Sequence, residues 1–238
     1  MQSRSAGWPG GFPFLERWPF PARADAPESS GRYPVNWPTV VDVGQLSFFT
    51  AESVPPAVTD LSGVLAASGQ IVVVGAQDVR AARLSVVVDQ LWRASALAEM
   101  IREAGLNPEI GRTDEDTPLV RTSVTPTLLD LATEWTRGAV KTVPPRWMPG
   151  PRELRAWTLA AGAPEGNNYI LGLDPHAPDT HPPLASALMR VGIAPTLIGT
   201  RGLRPALRIS GRRRLSRLVE SVGEAPAGTE ASSLWPQV

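Results

Sequence analysis

The sequence has no cysteine and only two histidines among its 238 residues. Disulfides, thiolate metal sites and a cysteine nucleophile are therefore excluded. Two imidazoles are too few for a multi-histidine zinc site. No apolar run reaches the roughly 18 residues that a membrane-spanning helix requires. Pro, Gly and Arg interrupt every apolar stretch near the N-terminus, so no secretory signal is expected. Lysine is nearly missing too: Lys141 stands alone among 23 basic residues, a bias that reports a GC-rich genome before it reports chemistry. These absences predict a soluble, cytoplasmic protein with no membrane partner. Hydrophobic residues at 42% suffice for a packed core, and 19% charged residues are too few for a disordered polyelectrolyte.

The formal net charge is zero, but it is unevenly spread. Residues 201–217 hold seven arginines and no acid, on a body that is otherwise mildly acidic. Such a strip is a footprint for a polyanion, or else a solvated helix face.

Residues 1–37 read as an extended arm, with Trp8-Pro9-Gly10-Gly11, Phe12-Pro13-Phe14 and Trp18-Pro19-Phe20-Pro21 followed by Trp37-Pro38. Dense proline fixes φ and removes donors, so neither helix nor central strand is expected there. The interleaved aromatics suit anchors on the globule or on a protein partner. Residues 225–238 read as a flexible tail, with Trp235 as the one place where it could be held.

Between these ends the chain repeats itself at a shift of 87 residues. Leu97-Ala98 through Gly105-Leu106-Asn107-Pro108-Glu109-Ile110 falls on Leu184-Ala185 through Gly192-Ile193-Ala194-Pro195-Thr196-Leu197. Val120-Arg121-Thr122-Ser123 falls on Leu207-Arg208-Ile209-Ser210 without a gap. Each copy reads helix, glycine stop, strand, turn, strand, helix. Upstream of each copy lies a helix of small residues, predicted over 61–69 and 158–166, that would let two backbones approach closely.

These two segments resemble the motif helices of the LAGLIDADG homing endonucleases. LSGVLAASGQI at 61–71 can be laid on the family's LAGLIDADGSI, and TLAAGAPEG at 158–166 resembles the second motif, with Gly63, Gly69, Gly162 and Gly166 as the motif glycines. Arg152–Trp157 looks like the lead into the second motif. The resemblance divides the chain into a first repeat at 38–150 and a second at 151–224. It implies an α+β fold: duplicated αββαββα units about a pseudo-twofold axis, whose two sheets form a saddle for double-stranded DNA.

Family members cut DNA with a divalent metal held by an acid just before each motif's last glycine. Those positions are Ser68 and Glu165 here, and Ala66 and Ala163 fill the earlier acid positions. A hydroxyl supplies neither charge nor strong ligation to Mg²⁺. The resemblance therefore implies DNA binding by a monomeric pseudo-enzyme that has lost cleavage. Two alternatives stay open: a nicking endonuclease using Glu165 with Mg²⁺, and a protein-interaction module docking through residues 1–37. Candidate DNA contacts are Arg201, Arg204 and Arg208 in the second hairpin, with Arg204 and Arg208 projecting together, and Arg212, Arg213 and Arg214 opening the last helix. Arg80, Arg83 and Arg121 are the first repeat's counterparts, in a half poorer in cations, so contact is expected to favour the C-terminal half. His176 and His181 read as a surface turn. Trp92, Trp135, Trp147 and Trp157 read as core.

Overall fold

A computed structural model describes residues 50–75, 79–200, 202 and 204–238, all within the compact unit Gly44–Val238. The aromatic arm and Arg201 fall outside the described residues. The first αββαββα unit comprises α1 (Ser62–Ala66), β1 (Gln70–Val74), β2 (Ala81–Val87), α2 (Leu91–Glu103), β3 (Pro108–Arg112), β4 (Pro118–Thr122) and α3 (Leu129–Trp135). A small hairpin, β5 (Thr136–Arg137) and β6 (Val140–Lys141), leads out of it. The second unit repeats the order: α4 (Pro151–Ala161), β7 (Gly162–Glu165), β8 (Asn168–Gly172), α5 (His181–Arg190), β9 (Thr196–Ile198), β10 (Ala206–Ile209) and α6 (Arg212–Val222). A last helix, α7 (Thr229–Leu234), follows.

The sheets run β1-β2-β4-β3 and β7-β8-β10-β9, all antiparallel. The duplication extends to register. Arg121 faces Glu109 in the first sheet, and Arg208 faces Thr196, 87 residues on, in the second. Both α2 and α5 end in the same left-handed glycine stop. Gly105 (φ 78°) and Leu106 donate to Arg102 O and Ile101 O, while Gly192 (φ 82°) and Ile193 donate to Met189 O and Leu188 O. The paired bonds satisfy the last carbonyls of each helix.

The second motif helix lies earlier than 158–166. It spans Pro151–Ala161, so the segment read as its lead-in is the helix itself, and Gly162–Glu165 is strand. Pro151 opens the helix at a position where a missing N–H costs nothing. Pro164 pushes Ala163 toward extended geometry, and Gly166 (φ 58°) with Asn167 forms the turn closing Glu165 onto Asn168. The inner hairpins fix the correspondence: Arg121–Ser85–Gln70 in one sheet matches Arg208–Ile170–Ala163 in the other. Gly69 therefore corresponds to Gly162, not Gly166, and Gly63 to Ala156. The first helix is likewise short, ending at Ala66 before Gly69.

At the crossing of α1 and α4, a Cβ added to Gly63 would lie 1.9 Å from Glu153 O and 3.0 Å from the Ala156 Cβ. Corresponding positions thus meet at the pseudo-axis. Around them one core joins both units, with Leu61, Val64 and Leu65 of the first beside Leu154, Trp157 and Leu159 of the second. Trp147 binds the layers together. It stacks edge-on to Trp135 at 5.1 Å, lies 6.2 Å from Trp157, and donates from Nε1 to Ser62 Oγ at 3.0 Å. Trp135 and Trp157 are fully buried, while Trp92 packs partly buried at the margin.

The tail is held at Trp235. Trp235 is buried and donates to Gly223 O at 2.8 Å, and Tyr169 Oη donates to Leu234 O at 3.0 Å. His181 is buried as well, opening α5 with Nε2 2.8 Å from Asp174 O, rather than sitting in a surface turn.

Gly63→Ala should drive a methyl into the Glu153 backbone and destabilise the protein by about 3 kcal/mol. Urea unfolding measures this, and a loss below about 0.5 kcal/mol would mean that the helices separate freely.

Candidate functional site

The C-terminal ends of α1 and α4 are where the resemblance implies a divalent metal. In the observed register the residues preceding the two terminal glycines are Ser68 and Ala161, neither of which offers a carboxylate. Glu165, expected there, lies on β7 and is occupied by Arg208, whose Nη2 donates to Glu165 Oε1 at 2.9 Å while Nε reaches Oε2. No group of three or more His, Cys, Asp or Glu side chains gathers into a ligand set among the described residues. The residues present do not fit the metal.

What stands at the two helix ends is basic. Lys141 Nζ donates to Ala67 O at 2.7 Å, to Gly69 O at 2.8 Å and to Asp174 Oδ2 at 3.0 Å. Its side chain is 8% exposed and that of Asp174 2%. Burial pushes the Lys141 ammonium below its usual value, and the Asp174 carboxylate opposes that shift. Asp174 also accepts from Gln70 Nε2 at 2.7 Å and from the His176 backbone N–H at 2.9 Å. At the other end, buried Arg93 donates from Nη1 to Thr158 O and Leu159 O, at 2.9 and 3.1 Å, and from Nη2 to Gly162 O at 2.6 Å. Asp89 Oδ1 lies 3.0 Å from Arg93 Nε. Sequence reasoning passed over this group. Its one legible trace was a solitary lysine in an arginine-based chain.

The arginines divide between two layers. In each sheet one face enters the core and the other is open. Alternation places Arg83 and Ser85 on the open face of β2, and Leu119 and Arg121 on that of β4. Arg83 and Arg121 are half-buried, and the Nε of each has no hydrogen-bond partner. An added Cβ on Gly111, one strand over, would lie 3.7 Å from Arg121 Nη2. In the second sheet Arg208 takes the position of Arg121 but reaches across β8 to Glu165. Arg204 does not share its strand, lying exposed in the loop before β10. Arg80 is exposed at the start of β2's approach. Among the described residues of the two sheets, the arginines without an ionic partner are therefore Arg83 and Arg121 of the first repeat.

The C-terminal excess lies instead on the helices. Arg190, Arg212, Arg213, Arg214 and Arg217 line a groove of about 800 Å³ between the end of α5 and the start of α6, with Val191, Gly192, Ser210 and Gly211. Arg217 Nε donates to Val191 O at 3.1 Å and Arg190 Nη2 to Trp147 O at 2.7 Å. No acid lines the groove, and among the described residues none of the five joins an ion pair. Leu215, Leu218 and Val222 of α6 face the core, so these arginines sit on the helical layer rather than on an open sheet face.

No protein-family profile and no curated protein sequence matches the chain. Solved structures do. The homing endonuclease I-WcaI, bound to its DNA recognition sequence, superposes with a TM-score of 0.50 at 11% identity, over 68% of this chain and 78% of that one. Full-length WhiA from Thermatoga maritima superposes with a TM-score of 0.50 at 13% identity, over 69% of this chain and 54% of WhiA. The chain has a LAGLIDADG-like fold. It is α+β, with the unit αββαββα present twice, and it spans about half of WhiA. No helix among the described residues is long and apolar enough to cross a membrane.

The Arg208 guanidinium, by hydrogen bonding, holds the Glu165 carboxyl below its ordinary value of 4.5. A lowered folded value stabilises the protein above the unfolded value and ceases to do so as pH falls through the folded one. The melting temperature of wild type should exceed that of Glu165→Gln at pH 7, and the difference should shrink on acidification below about pH 4.5. Thermal melts across pH 7 to 3 check this; a constant difference would mean that the pair is not ionic.

Proposed function

We propose that this protein binds duplex DNA and does not cut it. The observation that carries the proposal is the groove lined by five arginines, with no carboxylate among the residues that line it. Arg190 and Arg217 each give the fold one hydrogen bond, but it gains little from Arg212 and Arg213. Cations in the first turn of α6 oppose its macrodipole, and Arg213 and Arg217 repel each other one turn apart. A phosphate backbone supplies the missing counter-charge, and the guanidinium fork matches its oxygens.

Arg83 and Arg121 extend the reading to the open face of the first sheet, where a planar guanidinium can reach phosphates or guanine edges. The fold adds support, since I-WcaI is described bound to its recognition sequence. The helix ends support the reading that it does not cut. Metal-assisted phosphodiester hydrolysis needs carboxylates that hold ions beside the attacking and leaving oxygens, and Ser68 and Ala161 supply none. The Glu165 nicking route is the weaker reading because that carboxylate is already engaged by Arg208.

Fluorescence anisotropy with duplex DNA between about 50 and 200 mM salt tests binding. Five phosphate contacts predict a log–log slope near −4.5, and replacing Arg212, Arg213 and Arg214 by alanine should flatten it by about one per contact. Binding that ignores salt would end the proposal. Supercoiled plasmid incubated with Mg²⁺ or Mn²⁺ should stay intact at any protein excess, and nicking by wild type would overturn the non-cutting part.

A further inference from the structure

We infer that Lys141 and Arg93 are the built-in cations of the molecular centre, occupying the oxygen-lined ends of the motif helices so that the centre neither needs nor admits a divalent ion. The last carbonyls of a helix have no N–H partners and carry partial negative charge. Here two such ends belong to helices that cross at Gly63 and Ala156. Each end is met by one basic side chain: Lys141 on Ala67 O and Gly69 O, Arg93 on Thr158 O, Leu159 O and Gly162 O. Gly69 and Gly162 correspond in register, so the two cations share one corresponding carbonyl, while Arg93 takes its others from Thr158 and Leu159.

Their aspartates correspond as well. Ser85 matches Ile170 opposite Arg121 and Arg208, which places Asp89 and Asp174 four residues beyond in each unit. Each centre therefore combines a helix C-terminus, an aspartate and a cation. At Lys141 the acceptors are all oxygen, two carbonyls and one carboxylate, at 2.7, 2.8 and 3.0 Å. Three acceptors satisfy the three N–H bonds of an ammonium. The same atoms, with the ammonium removed, form the beginning of a hard-cation site carrying one negative charge.

Arg93 differs in one respect, since its aspartate is 70% exposed where Asp174 is 2% exposed. The Lys141 centre is the closed one, and truncating its cation leaves Asp174 buried without a counter-charge.

Lys141→Ala tests the inference through stability, which does not depend on DNA binding, so failure of either reading leaves the other standing. The melting temperature of the variant should fall by roughly 10 °C. Millimolar Ca²⁺ or Mn²⁺ should restore part of that loss in the variant and leave wild type unmoved, and EDTA should not affect wild type. A merely structural lysine would give a metal-insensitive variant, and that result overturns the inference. So would a stoichiometric Mn²⁺ site in wild type by calorimetry. If Lys141→Ala accumulates unfolded, refolding with and without Ca²⁺ decides: folding with the ion alone supports the inference, and no folding in either condition overturns it.

Discussion

Everything in this molecule is arranged around one close approach, in which the backbone of α1 at Gly63 lies against the backbone of α4 at Glu153. Only a residue without a Cβ permits it, and the partner position in register, Ala156, carries the smallest side chain that has one. Backbone contact brings the flanking large residues into a common core, so Leu61, Val64, Leu154 and Trp157 bury one another instead of forming two separate and smaller cores. The arrangement also fixes where both helices end, and with that the position of two negative dipole ends in the interior. The buried charges of the centre answer that geometry. Arg152, at the other end of α4, is held by Asp60 at 2.6 Å and by Glu103, so both ends of the central helix are tied to the first unit.

The duplication was legible because its elements are local. A helix with a left-handed glycine stop and a hairpin of short apolar strands leave their signature within a dozen residues, and the 87-residue shift carried through to the strand register. The second motif helix was placed seven residues late at its start and five at its end. Small residues in TLAAGAPEG look like a close-packed helix, but Pro164 within the same segment forbids one, and local backbone sterics outweighed the compositional likeness. The acid in that segment then inherited a role that its true position on β7 denies it.

Charge was harder to read than backbone. Seven arginines within 17 residues form one strip in the sequence, yet among the described ones Arg208 lies on a strand, Arg204 in the loop before it and the other four on α6. Arg208 faces the open side of the sheet and meets Glu165, 43 residues away, while the arginines of α6 face a groove on the helical side. Pairing across strands is invisible to a linear count of charge. The same holds for the interior cation: nothing near Lys141 in the chain announces Ala67, Gly69 or Asp174 as its partners.

The capping at the two helix ends is reciprocal. Arg93, from the first unit, satisfies α4 of the second, and Asp174, from the second, works through Lys141 on α1 of the first. The second half therefore lacks the cation that meets its own central helix, and the first half, which carries Lys141 for α1, lacks the carboxylate that balances it. The two copies descend from a shared pattern but have become obligate complements, so that a split version of this protein would have to assemble as it folds.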